Sequence, residues 1–591
     1  MFDFTYPFDA ATIIKKKKSL KRKLLERNEP RIKKKIAILG GSTTSEIINI
    51  LELFLLDYGI DPVFYESEFG RYWQDAMFSS ELREFSPDIV FIHTTSRNIS
   101  SWPVLRDDYE KVSALLERQV SHFTSMWQKI LHDLKCPVIQ NNFERPQFRL
   151  LGNRDVSDYH GRTNYISRLN QKFYEYSQTN EGFFINDIDY LSASYGLEKW
   201  ADPFYWYMYK YALCPHAIPD FAFSVANIVK SIYGKNKKAI AVDLDDTLWG
   251  GIVGDDGVEG LSIGQETSIG QAYSAFQSYL KELKRLGVIL NVISKNEHEN
   301  AIAGLNHPDG TLRPDDFVLI KANWNPKSHN LSEMAEELSL LPESFVFFDD
   351  NPAEREIIRQ SLPDVAIPES GRVEHYISAI DRSGFFETTL LSADDDRRAE
   401  MYRENMERAR ARATFTDYHD YLLSLEMTAD IRSFEPLYLP RIAQLTNKSN
   451  QFNLTARRYT EEEIRATASD GNYITLYGKL MDRFGDNGLV SVIIGRIDGD
   501  ILHIELWLMS CRVIKRDMEF AMMDELVAQC RTAGIKTIMG YYYPAAKNGM
   551  VQNFYATQGF YRESEDKQGN TTWRFAIEKG YRLKNTVIGI I

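Results

Sequence analysis

Twice in this chain a short apolar run stops at a turn and gives way to a helical repeat: KIAILGGSTTSEIINILELFLLDYG from Lys35, and AIAVDLDDTLW from Ala239. A strand buried on both faces reads as such a run, and strands that alternate with helices build a parallel sheet. Each opening has followers of the same kind. PVFYES, DIVFIHTT, PVIQNNF and FFINDIDYL extend the first series, and VILNVIS, FVLIK and SFVFFDD the second. The polar stretch YGKNKK separates the two series near Lys238. Two successive α/β domains are expected, the first with a tight turn at Gly40 and Gly41.

The remainder differs. From Ser392 the sequence turns to DDDRRAEMYRENMERARARA, charged and helical, which reads as a connector. Beyond Leu425, helices such as PRIAQLTNK and DMEFAMMDELVAQC alternate with strands such as LVSVIIGRI, ILHIELWLMS and KTIMGYYY, the pattern of an α+β domain. A chain of 591 residues is too long for one hydrophobic core. The expected division is a basic arm over 1–34, α/β domains over 35–234 and 237–386, a connector over 387–425 and the α+β domain over 426–591.

Composition narrows the function classes. Apolar residues at 43% and charged residues at 26% describe an ordinary globular protein. A net charge of -13 argues against general nucleic-acid binding, which needs an excess of Lys and Arg. The lysine runs at Lys15 to Lys18, Lys21 to Lys23 and Lys33 to Lys35 fit a solvated arm, or a surface for a membrane or polyanion. The four cysteines have neither CxxC nor Cys/His spacing, so a disulfide framework or zinc site is not expected. The most apolar stretch, IINILELFLLDYGI, is too short to cross a bilayer and carries Glu52 and Asp57, and the protein is read as cytoplasmic.

The second α/β series carries the chemistry. Asp243 and Asp245 follow a buried strand, at the edge where such sheets expose their loops to ligand. Two carboxylates on one turn repel unless a cation or proton lies between them, so the spacing predicts a magnesium site. FVFFDDN ends another strand with Asp349 and Asp350, VILNVISKN delivers Ser294, and NWNPKSHN delivers Lys327. A hydroxyl and an ammonium beside a divalent cation suit a phosphoryl group with three charged oxygens. The short interval from Asp246 to Ser294 leaves little room for a separate cap, which favours a large substrate or a lid from a neighbouring domain.

These four elements, in this order, resemble the haloacid dehalogenase (HAD) superfamily. That resemblance implies Asp243 as the nucleophile forming an aspartyl-phosphate, and Asp245 as the acid that protonates the leaving group and then the base that activates water. It implies Ser294 and Lys327 on the phosphoryl oxygens, and magnesium on Asp243, Asp349 and Asp350 with the Asp245 backbone carbonyl. The longer wording is more specific: DLDDTLWGGIVGDDG, SKNE, FFDDNPAERE, AQLTNKSNQFNLTARRY, DRFGDNGLVSV and LMSCRV are similar to the FkbH-like proteins of HAD subclass IIIC. Such proteins imply loading of a glyceryl unit from 1,3-bisphosphoglycerate, a phosphorylated three-carbon substrate, onto the phosphopantetheine thiol of an acyl carrier protein, with loss of phosphate. Thr247, Asn296, Arg512, Asn450, Asn453 and Asp482 are the expected substrate contacts.

Two further resemblances complete the fold class, an α/β multidomain chain with SGNH-like, HAD-like Rossmannoid and GNAT-like α+β domains. The first α/β region is similar to SGNH hydrolases, which implies Ser42 in GGSTTSE at the nucleophile position, Gly70 in EFGRYW, and Asn98 or Asn142 as oxyanion donor. Where that fold carries DxxH this chain has Asp202-Pro203-Phe204-Tyr205, so a degenerate domain for docking or substrate binding is expected rather than an esterase. The C-terminal region, with YYYPAAKNGMVQNFYATQGF, resembles GNAT acyltransferases, but Lys515 and Asp517 stand where glycines would hold a CoA pyrophosphate. Arg512, Lys515 and Arg516 remain candidates for a phosphopantetheine phosphate or for a solvated basic turn. Cys511, at a strand end with these cations close in sequence, reads as either an acyl carrier in transit or an inert buried thiol. Three functions stay open: an acyl-loading enzyme, a small-molecule phosphatase, and a scaffold with vestigial sites.

Overall fold

The computed structural model describes residues 1–591 except 1–2, 28, 30, 391–396, 413, 450, 511–512, 546–547 and 579. The chain forms two compact units, one of 1–4, 8–233 and 459–464, the other of 5–7, 234–458 and 465–591.

In the first unit, β1 (Ile32–Gly40), β2 (Ile60–Glu66), β3 (Ile89–His93), β4 (Val138–Asn141) and β5 (Phe183–Asn186) form a parallel sheet ordered β2-β1-β3-β4-β5. The order reverses between β1 and β3, the place where open α/β sheets leave a crevice beyond their carboxyl ends. Buried Phe123, Trp127, Tyr165 and Phe173 help fill the core on one side of the sheet. The basic opening is not a separate arm. Residues Ala10–Glu26 are a helix that buries Ile13, Leu20 and Leu24, and Lys17 and Lys21, with Arg27 just past its end, pair with the next helix, Ser45–Asp57, as Lys17–Glu46, Lys21–Glu52 and Arg27–Asp57. The helical period places Lys17 and Lys21 beside the apolar stripe, while Lys15, Lys16, Lys18 and Lys23 stay exposed, a solvated face on a packed helix.

The second unit holds two sheets. Strands β6 (Ala239–Val242), β7 (Ile289–Ser294), β8 (Leu319–Ala322) and β9 (Phe345–Phe348) run parallel in the order β8-β7-β6-β9. The switch point lies between β6 and β9. Register pairs Val242 with both Val292 and Phe348, so the residues after these strands emerge together at the carboxyl edge. Residues Val253–Asp256 and Val258–Gly260 are single turns, and Gly250 and Ser262 bridge to make the intervening segment a short flap.

The second sheet runs β16 (Tyr561–Glu565), β17 (Thr571–Ala576), β15 (Thr537–Tyr542), β14 (Ile501–Met509), β13 (Gly485–Asp498), β12 (Tyr473–Asp482), β10 (Thr428–Arg432) and β18 (Gly589–Ile590). It is antiparallel except for β14–β15 and β10–β18. The parallel pair β14–β15 is joined only over Ile501–His503, and β11 (Phe452–Asn453) pairs with the far end of β14. Leu454 then bridges the gap, its N–H donating to the Trp507 carbonyl and its carbonyl accepting from the Tyr543 N–H. The connector is built in as well. Met401 and Tyr402 of helix Arg398–Arg412 are buried, and Arg408 makes a two-point ion pair with Asp482 at 2.7 Å on each oxygen.

No helix among the described residues is long and apolar enough to cross a membrane.

Candidate active site

The carboxyl edge of β6, β7 and β9 gathers the residues singled out by sequence. Asp243 is placed by the β6–β9 ladder, its N–H donating to the Phe348 carbonyl at 3.0 Å. Lys327 opens helix Lys327–Glu337, and its ammonium lies 2.7 Å from Asp243 and 2.6 Å from Asp349. All three are buried, Asp349 completely. Oxygens of Asp243, Asp349 and Asp350 lie within 4.8 Å of one another, a set able to hold a metal ion.

The electrostatics follow from that crowding. Burial, then the neighbouring Asp243 charge, raises the pKa of Asp349, with Lys327 partly opposing the shift. Asp350 is raised by the same two causes. Burial works against the Lys327 charge, but Asp243 and Asp349 outweigh it and its pKa is raised. Three carboxylates face one ammonium, and Asp243 Oδ1 is buried and accepts no hydrogen bond from the described residues. An oxygen of that kind in a hard-donor set fits a divalent cation such as magnesium.

Asp245 lies outside that trio. Its Oδ1 accepts from the Trp249 indole at 3.0 Å and the Val253 N–H at 3.1 Å, and its Oδ2 accepts from the Asn296 amide at 2.8 Å. Its side chain is thus no part of the carboxylate cluster, which leaves only its main chain for the expected metal role. Asn296 also donates to Ser294 Oγ at 3.2 Å, so it braces Asp245 and Ser294 rather than offering a free amide to substrate. Thr247 is likewise committed. Its hydroxyl donates to Asp350 Oδ1 at 3.1 Å and accepts the Asp350 N–H at 3.2 Å, which makes it a brace for a carboxylate instead of a substrate contact.

Sequence reasoning missed most of the supports. Asp246 has a positive φ of 50°, and its carbonyl accepts the hydroxyls of Tyr376 at 3.0 Å and Tyr273 at 3.3 Å. The Arg355 guanidinium donates to the carbonyls of Asp349 and Asp350 at 2.9 and 2.7 Å. Trp249, four residues past Asp245, and Arg355 within NPAERE were legible by proximity; the two tyrosines, from distant segments, were not.

At the SGNH-like position, Ser42 sits in the turn after β1, 2% exposed, and its Oγ has no hydrogen-bond partner among the described residues. Gly70 N–H donates to the Gly40 carbonyl at 3.1 Å and the Asn98 amide to the Gly41 carbonyl at 2.9 Å, so these two do join Ser42. The other two do not. Asn142 is taken by Tyr174, Asp187 and the Asp189 N–H. Asp202 caps helix Pro203–Tyr209 through the Phe204 N–H, while the opposite end of that helix reaches the Ser42 turn, where the Tyr209 carbonyl accepts the Thr43 hydroxyl.

In the C-terminal sheet two expected acyl-pocket residues have other work. Asp482 is fully engaged with Arg408 and with Arg516, 3.1 Å away, and Arg516 is thereby removed as a phosphate ligand. The Asn453 amide donates to the Arg457 carbonyl at 3.2 Å and its side chain is buried. Asn450, Cys511 and Arg512 lie outside the described residues.

Comparison with known proteins agrees with this geometry. The N-terminal part of protein BF1531 from Bacteroides fragilis, a crystal structure containing a phosphatase domain complexed with Mg, is 28% identical and covers 64% of this chain and 99% of its own, with a TM-score of 0.58. The ribosomal-protein-S18-alanine N-acetyltransferase from Escherichia coli is 13% identical over 26% of this chain and 99% of its own, TM-score 0.21. A GNAT-family acetyltransferase from Streptococcus pneumoniae is 17% identical over 25% and 99%, TM-score 0.22. Similarity at those last two levels assigns no activity. Comparison with curated proteins gives no match. Residues 35–230 match the family model of the FkbH N-terminal domain.

Proposed function

We propose that this chain is a magnesium-dependent phosphoryl-handling enzyme, and that its full activity is transfer of a glyceryl unit from 1,3-bisphosphoglycerate to the phosphopantetheine thiol of an acyl carrier protein. The observation that carries the first part is the cluster of Asp243, Asp349 and Asp350, the first two buried and paired with Lys327. The magnesium bound in the BF1531 structure and the phosphatase domain described there support it. Magnesium, when bound by these carboxylates and the Asp245 carbonyl, supplies the positive charge that phosphoryl oxygens require.

The chain's own residues supply the rest. Asp243 attacks phosphorus, the bond to the leaving oxygen breaks, and Asp245 gives that oxygen its proton. Asp245 then takes a proton from the water that hydrolyses the aspartyl-phosphate. Asn296, Trp249 and the Val253 N–H keep the Asp245 carboxyl in place for both transfers, while Lys327 and Ser294 bind the non-bridging oxygens.

The acyl donor carries two phosphoryl groups of different chemistry. Attack of a thiolate on the acyl phosphate forms the thioester and expels one phosphate; the remaining phosphate ester needs a hydrolase, which the Asp243 site provides. Cys511 is the proposed thiol in transit. Cys136 and Cys530 are buried with thiol pKa values pushed up to about 12, and burial also raises that of Cys214, so these three are poor nucleophiles.

The test is mass spectrometry of a carrier protein after incubation with enzyme, magnesium and 1,3-bisphosphoglycerate. A glyceryl mass gain that Asp243→Asn converts to a phosphoglyceryl gain supports the whole reading. Phosphate release with no gain on the carrier leaves a small-molecule phosphatase.

A further inference from the structure

The loop that delivers Lys327 also exposes a tryptophan. Asn323 follows β8, and its N–H donates to the Ser294 carbonyl at 3.1 Å, which ties the loop to the site. The Asn323 side chain then accepts from the Asn325 N–H at 3.0 Å and the Asn330 amide at 2.9 Å, closing a tight turn. Trp324 stands at its tip, 67% exposed, one residue from the segment bonded to Ser294 and three from Lys327. Buried chemistry lies on both sides of an uncovered indole.

That indole is held in place. Its N–H donates to Glu297 Oε1 at 2.6 Å, and Glu297 directly follows Asn296, the brace of Asp245. The hydrogen bond therefore spans the two loops that carry the expected phosphoryl ligands Ser294 and Lys327. It leaves the two faces of the ring without an aromatic partner among the described residues. On the other side, Lys295 pairs with Glu354 at 2.6 Å, so the rim also has a polar clasp. An indole costs water contact when exposed, and fixing its orientation lowers the entropy lost when a ligand packs on it.

We propose that Trp324 is the specificity-determining surface of the phosphoryl site: its ring packs against the carbon portion of the substrate while the phosphoryl group is held below by Lys327 and Ser294. The substrates favoured are phosphoryl compounds with an apolar or CH-rich body next to the scissile group. Without a cap domain over the site, this ring is the apolar contact that the loop itself offers such a body. The proposal rests on the phosphoryl reading of Asp243.

The experiment compares magnesium-dependent hydrolysis of benzyl phosphate and ethyl phosphate by the full chain. Both are phosphate monoesters of a primary alcohol, and only the first has a body that spans an indole. Wild type is expected to favour benzyl phosphate in KM by about tenfold, the worth of some 50 Å² of apolar contact. Trp324→Ala should collapse that ratio toward one, Trp324→Phe should keep at least half of it, and Glu297→Ala, which frees the indole, should fall between. A ratio unchanged in Trp324→Ala, or no preference in wild type, overturns the proposal. Asp243→Asn run in parallel separates the two levels: phosphate release at the wild-type rate there brings down the phosphoryl reading itself, and the proposal with it.

Discussion

The Lys327 ammonium lies 2.7 Å from the Asp243 carboxylate, with both groups buried at the carboxyl edge of one parallel sheet. The lysine neutralises one oxygen of a carboxylate whose other oxygen accepts no hydrogen bond from the described residues. Asp243→Asn keeps the shape but removes nucleophilicity and charge, and phosphate release should fall by at least about a thousandfold with the fold retained. Chelation by EDTA should act alike, with activity restored by added magnesium. A phosphate-release assay with circular dichroism checks both.

Tyr376 and Tyr273 converge on the Asp246 carbonyl and hold the left-handed turn that follows Asp245. Tyr376→Phe removes the shorter bond and should lower kcat roughly fivefold, for a loss of about 1 kcal/mol in ordering the turn, with KM little changed. The double variant with Tyr273→Phe should lose more than the sum, since each hydroxyl covers for the other. Steady-state kinetics of the three variants decide it.

Ser42→Ala should change phosphate release and carrier loading by less than about twofold. Ser42 Oγ has no hydrogen-bond partner, an imidazole included, among the described residues. A fluorophosphonate probe should leave Ser42 unlabelled; labelling would show a working nucleophile.

Arg408 and Asp482 form a buried two-point ion pair between the connector helix and β12. Arg408→Ala removes the two-point partner of the buried Asp482 charge, leaving Arg516, the Phe484 N–H and the Asn487 amide beside it, and should destabilise the C-terminal sheet by about 3–5 kcal/mol. Thermal unfolding should show a lowered transition, whereas Glu407→Ala, at an exposed position of the same helix, should not.

Acyl transit through Cys511 predicts that enzyme quenched with 1,3-bisphosphoglycerate carries a glyceryl adduct on that cysteine. Cys511→Ala should abolish both adduct and carrier loading while phosphate-ester hydrolysis at Asp243 persists. Peptide mass mapping reads the adduct directly, and loading by the variant would point to direct transfer.

The order of strands and helices, and the acidic residues at their ends, were legible in the sequence because both are local. A buried strand is a run of apolar residues, and a carboxylate two residues past it needs no tertiary information to be noticed. So Asp243, Ser294, Lys327, Asp349 and Asp350 were named from spacing, and one sheet brings them together. What each polar side chain touches is set by the register of distant segments, and there the sequence was silent. Thr247 and Asn296 looked like substrate contacts and are braces. Asp482 looked like a pocket residue and is locked between two arginines, one of them 74 positions earlier in the chain. Lys17, Lys21 and Arg27 of the opening read as solvated, and a neighbouring helix supplies Glu46, Glu52 and Asp57 to them. Composition and periodicity determine which faces are buried; only the tertiary structure decides which polar groups meet on them, because a hydrogen bond depends on positions within a few tenths of an ångström that no local pattern encodes.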